Sequence, residues 1–444
     1  MPLPPRGAGV KLPETGSGRR GQMAKAQVWL RRTGLAFAVL VMAAGTGWML
    51  IGPEWRALLT HPPAGRDVLF WSVPQRDAAF RMMDRLPFLI ESRTIPAGSQ
   101  TRELPQGEPL RLGADFDLNA YLLKQNAASL VILHKGRVRA EIYGNNFRPD
   151  GRWTSFSVAK SLTSTLVGAA ILDGHIRSLE DKVSAYVPGL EGSAYDEVTI
   201  AQLLTMTSGV AWNEDYDDPS SDVALFDKHE PAPGMSGIVS YMRTLKRAHP
   251  PGEVWNYSTG ETNLIGVLVS EATGKTVADY LSEKIWAPYG MQQDATWLLG
   301  QDGHEISGCC IQAAARDFAR FGQFMLEGAA TKNGPVVPPD WISTATVKQA
   351  DIGQPGEGYG FQWWTWEDGS YQADGIFGQG IFIDPARKLV IASNANWTSA
   401  LGDRDGEFEA RANFYRRVQA AIDAETPVLE EPLEEIEAER ADQP

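Results

Sequence analysis

Cysteine is nearly absent from this 444-residue chain. The two present, Cys309 and Cys310, are neighbours. Adjacent Cα atoms lie ~3.8 Å apart, below the usual span of a disulfide, so the pair is expected to stay unbridged as two small buried side chains. No C-x-x-C pair and no His/Cys cluster occurs, which argues against a zinc site. Positive charge is also scarce. The net charge of −14 argues against nucleic acid as a partner, because phosphate binding needs clustered Lys and Arg. There are six histidines, and no G-x-S-x-G stands beside any of them. A Ser-His-Asp triad built on a nucleophile elbow therefore has no sequence support.

Charge is missing altogether from Gly34 to Gly52, "GLAFAVLVMAAGTGWMLIG". Nineteen helical residues would span roughly 28 Å, about one hydrocarbon core. The segment before it, residues 1–33, is basic: Arg6, Lys11, Arg19, Arg20, Lys25, Arg31 and Arg32 face one acid, Glu14. By the positive-inside rule the N-terminus stays in the cytoplasm. The favoured reading is a single-pass anchor in a bacterial inner membrane with the rest of the chain facing the periplasm. A cleaved signal segment and a secreted or periplasmic product is the alternative. Residues 53–119 read as an irregular approach segment rich in scattered Pro and Gly. Residues 426–444, "TPVLEEPLEEIEAERADQP", read as an acidic disordered tail.

Residues 120–425 carry the ordered pattern. "SLVILHKGRVRAEIYG" is a hairpin about Lys135-Gly136, and "IFIDPARKLVIAS" is a second one whose turn opens at Asp384-Pro385. Helical patterns fill the space between them, and a helix, "EFEARANFYRRVQAAIDA", ends the domain. The expected fold is α/β (α+β): an antiparallel sheet flanked by helices, with an all-helical subdomain inserted between its strands.

Within the first of those helices lies "SFSVAKS". Serine needs a base to act as a nucleophile, and a lysine three residues on is a neighbour on a helix face. Ser157 and Lys160 have that spacing. A helix N-terminus and apolar neighbours favour an ionised hydroxyl and a depressed lysine pKa. Alone, S-x-x-K is a weak motif and reads more readily as a surface lysine on an ordinary helix. Downstream, Tyr257 precedes another helix in "PPGEVWNYSTGETNLIGVLVSEATG", where a phenol is able to relay a proton. Further on, "ADGIFGQGIFIDP" brings Gly375, Gly378 and Gly380 into a strand whose backbone N–H, with that of Ser157, would form an oxyanion hole.

Taken together, these elements resemble the serine β-lactamase and penicillin-binding-protein superfamily. "SFSVAKS", "LLTMTSGVAWNEDY", "PPGEVWNYST", "RDFARFGQFM" and "GQGIFIDP" are similar to class C-type serine hydrolases, and closest to 6-aminohexanoate-dimer hydrolase-like proteins, over roughly residues 70–423. The resemblance implies that Ser157 is the acylated nucleophile, Lys160 its base and Tyr257 the proton relay. It implies a cleft between an α/β sandwich and a helical subdomain. Two departures stand out. Tyr-x-Asn is here Tyr257-Ser258-Thr259, and Lys-Thr-Gly is Ile376-Phe377-Gly378, with Gln379 then expected to give the second oxyanion N–H. The missing cation disfavours carboxylate-bearing β-lactams and leaves amides and esters. Tyr216, in the acidic stretch "WNEDYDDPSSD", Thr259 and Gly378 are candidate substrate contacts, and "YGFQWWTW" offers aromatics for a cleft wall. No metal or organic cofactor is called for. The expected activity is hydrolysis of small amides or esters through a Ser-Lys-Tyr acyl-enzyme, with a carboxylesterase or β-lactamase as rival enzymes. A non-catalytic anchored binding or sensor protein is the rival of another class.

Overall fold

The computed structural model describes residues 17–63, 65, 67–86 and 90–425. The acidic tail and the first part of the basic segment lie outside the described residues. The chain divides into two compact units after Thr60. In the first, one helix runs from Ser17 to Leu50, starting well before the expected apolar run. Within it Lys25–Leu50, 26 residues, is long and apolar enough to cross a membrane. A short helix, Pro53–Thr60, follows.

Among its described residues the second unit carries three antiparallel sheets, of seven, four and two strands, the last pairing Ala330–Thr331 with Gly334–Pro335. The strands are β1 (Ser92–Ile95), β2 (Ala127–His134), β3 (Arg137–Tyr143), β4 (Trp153–Thr154), β5 (Ala295–Leu298), β6 (Ile311–Ala313), β7 (Ala330–Thr331), β8 (Gly334–Pro335), β9 (Glu357–Tyr359), β10 (Trp364–Trp366), β11 (Tyr371–Gly375), β12 (Gln379–Asp384) and β13 (Leu389–Ala395). The large sheet has the order β3-β2-β13-β12-β11-β10-β9. Its middle strands are apolar on both faces. In β2, Val131 and Leu133 enter one core while Leu130 and Ile132 enter another. The alternation recurs in β12, where Ile381 and Ile383 oppose Phe382. Period-two alternation with both faces buried requires a cover on each side. The Ala315–Leu326 helix supplies one through Phe318 and Phe321, and the Glu407–Glu425 helix the other through Phe414, Tyr415 and Val418.

Both expected hairpins are present. β2 and β3 join through Lys135 (φ 51°) and Gly136 (φ 73°), two left-handed residues as a type I′ turn requires. β12 and β13 join through a turn in which Arg387 N donates to Asp384 Oδ1 at 3.0 Å. The inserted region is mostly helical but not wholly so. A four-stranded sheet, β1-β5-β6-β4, runs through it. Its edge strand β1 comes from the segment expected to be irregular, which also holds the Val73–Ala79 helix. Those four-residue and seven-residue elements are too short to show a period among prolines and glycines.

The cysteines depart from expectation. Cys309 and Cys310 form a vicinal disulfide with Cα atoms 3.7 Å apart. The Cα separation is indeed short, but Cys310 takes a left-handed backbone (φ 74°) that turns the two side chains to the same side. The distance argument assumed an ordinary backbone and so pointed the wrong way.

Candidate active site

Ser157 stands immediately before the Val158–Leu172 helix, at its positive end. Phe156 before it sits at φ 41°, a left-handed conformation unfavourable for a bulky residue. Packing holds it there: its ring lies 4.9 Å from Phe80 and 5.5 Å from Phe377. Ser155 fixes the other side of the turn, its N–H donating to Ile311 O at 2.8 Å and its hydroxyl accepting from Ile311 N at 2.9 Å. Ser157 is thereby presented on a sharp bend, 8% exposed.

Lys160 follows one turn into the helix and is 1% exposed. Its Nζ donates to Thr259 Oγ1 and to Gly308 O, both at 2.8 Å. Burial pulls its pKa down to about 8, against the opposing pull of the Glu214 carboxylate. Tyr257 lies over the same ammonium, with Nζ 5.2 Å from its ring centroid. Burial, and then the nearby Tyr359 and Glu214, raise the pKa of its phenol well above the ordinary value, against the lowering effect of the Ser157 side chain it meets. Trp364 stacks on the Tyr257 ring at 5.8 Å. The loop bearing Tyr257 is tied down by Asn256 N donating to Met206 O at 2.9 Å. Ser258 then caps the Thr259–Thr273 helix.

Glu214 is the residue that sequence reasoning missed. It accepts from the Thr259 N–H at 2.9 Å, from the Thr259 hydroxyl and from Trp212 Nε1, and also from Tyr216 OH at 2.9 Å. Thr259 thus passes a hydrogen bond from Lys160 on to Glu214. The acidic stretch was visible in the sequence as a cleft border; that one of its acids points inward to the lysine was not. Thr259 also lines a pocket beside Ser157, but its hydroxyl is occupied by Lys160 and Glu214.

β11 delivers the last part. It ends at Gly375, where a Cβ would come within 2.7 Å of Ser155 O and 3.1 Å of Ser157 N. Glycine is required for that approach. Ile376 comes next and lines both cavities that open on Ser157. Gln379 and Gly378 are not brought to Ser157. The glycine-rich run is a tight turn, Ile376–Gly378, rather than one strand, so Gln379 begins β12, one strand further off. Its buried amide donates to Ala395 O at 2.9 Å and accepts from Trp153 Nε1 at 3.1 Å. Gly378 is buried in the turn and lines neither cavity.

The larger cavity is a cleft of about 780 Å³. Tyr216, Tyr257, Trp364 and Trp366 give it an aromatic wall, while Tyr359 and Trp363 are core residues, 1% and 0% exposed. Asp215, Asp217, Glu357 and Glu409 make it acidic. Arg411, the one cation among its described lining residues, is held 2.8 Å from Asp374 and stacks over Trp397 at 4.6 Å. A smaller pocket, about 170 Å³, shares Ser157, Tyr216 and Ile376 with the cleft as lining residues.

A serine on a helix start, a buried lysine one turn on, a tyrosine on the serine and a glycine strand end beside it match a known constellation. The family model for Beta-lactamase matches residues 122–416. The chain belongs to the Beta-lactamase family. The 6-aminohexanoate-dimer hydrolase of Paenarthrobacter ureafaciens is 31% identical over 346 residues, covering 72% of this chain and 85% of that protein. Among solved structures, a Bacillus anthracis protein provisionally described as a 6-aminohexanoate-dimer hydrolase superposes with a TM-score of 0.69 at 24% identity, over 79% of this chain and 95% of that one. A family VIII carboxylesterase superposes with a TM-score of 0.52 at 17% identity, over 70% and 99%. This Beta-lactamase family member is therefore a hydrolase of the β-lactamase and penicillin-binding type, with the fold expected from its sequence.

Proposed function

We propose that the protein is a serine hydrolase that cleaves small linear amides or esters through an acyl-enzyme on Ser157. One observation carries the reading. Lys160 lies one helical turn after Ser157 with its Nζ 5.2 Å from the ring of Tyr257, which meets Ser157, and burial moves the two groups in opposite directions, the amine down to about 8 and the phenol up. An amine titrating near 8 is neutral in roughly a tenth of molecules at pH 7 and so serves as a base. A phenol held protonated does not serve as one, but it donates.

Neutral Lys160 takes the Ser157 proton as Oγ attacks the substrate carbonyl carbon. Charge builds on the carbonyl oxygen, which the N–H groups of Ser157 and Ile376 receive; neither N–H donates to another group among the described residues. Loss of one such donor typically lowers the rate by about 10²–10³. Tyr257 passes a proton to the departing nitrogen or oxygen and takes one back from the Lys160 ammonium, which leaves the amine neutral again. Water, deprotonated by that amine, attacks the acyl carbon, and the proton goes to Ser157 Oγ as the acid leaves. Arg411, the one cation among the described lining residues, is paired with Asp374, which disfavours a carboxylate set close to the scissile bond as in β-lactams; the carboxylate of a 6-aminohexanoate-type amide lies five methylenes away.

Similarity to the Paenarthrobacter enzyme supports a 6-aminohexanoate-type amide as the substrate class. Turnover of 6-aminohexanoate dimer, a matched ester and nitrocefin by one preparation tests this. Amide or ester cleavage without nitrocefin cleavage is expected; nitrocefin cleavage alone reverses the reading. The apolar Lys25–Leu50 helix supports a membrane anchor with the catalytic unit outside the cytoplasm. Retention in the carbonate-washed membrane pellet with an intact N-terminus is the expected outcome, and a shortened soluble product would mean a cleaved signal.

A further inference from the structure

We infer that the Cys309–Cys310 disulfide is a reversible thiol-exchange site, and that its opening by a small dithiol slows the acylation of Ser157. The inference rests on the hydrolase reading above. Its ground is position. The ring closed by the two cysteines lies between two peptide groups that build the active site. The peptide entering the ring carries Gly308 O, which accepts from Lys160 Nζ at 2.8 Å. The peptide leaving it carries Ile311 N, which donates to Ser155 Oγ at 2.9 Å and so fixes the bend before Ser157. Base and nucleophile are thus each held by backbone adjoining a single S–S bond.

That bond also keeps the backbone where a free cysteine is strained. Cys310 has φ 74°, in the left-handed region that crowds a Cβ. Asn263 Oδ1 accepts from Gly308 N at 2.8 Å, which anchors the peptide before Gly308 and leaves the one after it to the ring. With the ring open, the backbone support of the Gly308–Cys309 peptide is one bond, Cys309 N donating to Ile306 O at 3.0 Å. The sulfurs are within reach of a small reagent. Cys309 is half-buried, and both cysteines line the small pocket that also reaches Ser157. The exchange balances. A thiolate of the dithiol attacks Cys309 Sγ, and Cys310 Sγ leaves and takes up a proton. The second thiol of the reagent then displaces Cys309 Sγ, so the protein gains two electrons and two protons and the dithiol departs as a disulfide. Cys310 then relaxes towards negative φ, the Gly308–Cys309 peptide turns, and Lys160 loses an acceptor. A base displaced by about 1 Å costs up to about a hundredfold in rate.

Fluorophosphonate labelling of Ser157 tests this in the full-length protein in detergent, before anaerobic treatment with dithiothreitol, after it, and after reoxidation. Alkylation of an aliquot reports whether the bond has opened, since the chain has no other cysteines. The reduced protein is expected to be labelled at least tenfold more slowly and to recover on reoxidation. Cys310→Gly lacks the bond but accepts a positive φ without strain. It is expected to label at the oxidised wild-type rate with or without dithiothreitol, whereas Cys310→Ala labels at the reduced rate. Equal labelling of oxidised and reduced wild type overturns the inference and leaves the hydrolase standing. So does a bond that dithiothreitol leaves closed in the folded protein, or a Cys310→Gly protein with an unchanged circular dichroism spectrum that labels as slowly as Cys310→Ala. Absence of a Ser157 adduct from the oxidised wild type fells the hydrolase reading itself.

Discussion

Replacing Lys160 by methionine should abolish acylation and change the pH dependence of stability in a defined direction. A lysine free of the fold titrates near 10.5, and in the fold Lys160 titrates at about 8. One pKa unit corresponds to about 1.4 kcal/mol, so the buried charge opposes folding by roughly 3 kcal/mol wherever both states are protonated. Below pH 8 that penalty is full. Between pH 8 and 10.5 the folded protein has shed the proton and the unfolded chain still holds it, so stability rises with pH. Methionine fills similar space and does not titrate. It also strands the acceptors Thr259 Oγ1 and Gly308 O, at a cost of about 1–3 kcal/mol that does not vary with pH. The two effects nearly offset each other near pH 7. From pH 7 to pH 10 the wild type should then gain roughly 2–3 kcal/mol on the variant. Urea unfolding followed by the fluorescence of the 14 tryptophans, in both proteins at both pH values, measures it. Subtracting one protein from the other cancels every other titrating group. A difference that stays constant with pH would show that Lys160 keeps an ordinary pKa in the fold, and the argument for it as the base would collapse.

Three further outcomes follow from the same geometry. The pH–rate profile of acylation should rise with an apparent pKa near 8, and Glu214→Gln, which removes the carboxylate that raises the Lys160 pKa, should move that limb to lower pH; an unmoved or upward-shifted limb contradicts the coupling. Tyr257→Phe should slow amide cleavage by about 10²–10⁴ and slow p-nitrophenyl ester cleavage far less, because nitrophenolate departs without a proton; equal losses on both would assign Tyr257 another role. Gly375→Ala should lose Ser157 acylation by at least tenfold with the circular dichroism spectrum unchanged, since its Cβ meets Ser155 O at 2.7 Å; full activity would mean that β11 need not touch the serine turn.

Much of this architecture was readable because it repeats. The two hairpins carry their turn chemistry in Lys135-Gly136 and Asp384-Pro385, flanked by short apolar runs such as "SLVIL" and "KLVIAS" that read as buried strands. Ser157, Lys160 and Tyr257 were readable because fixed helical spacing and chain order leave little freedom. What was hidden depends on long-range approach. Glu214 looks like any acid in an acidic loop until Thr259, far along the chain, closes on it. Gln379 was expected beside Ser157 because glycines mark a turn and a bulged strand alike, and only the pairing of Gly375 with Gln379 tells them apart. The disulfide escaped because its formation hangs on the sign of one backbone angle, at Cys310.

The most direct measurement is covalent. The full-length protein, incubated with a fluorophosphonate probe and digested, should yield one adduct, on the peptide bearing Ser157. Ser157→Ala should yield none, and Lys160→Met should be labelled at least a hundredfold more slowly. A wild-type protein without an adduct on Ser157, or a Ser157→Ala protein labelled as well as the wild type, would contradict the assignment of Ser157 as the nucleophile.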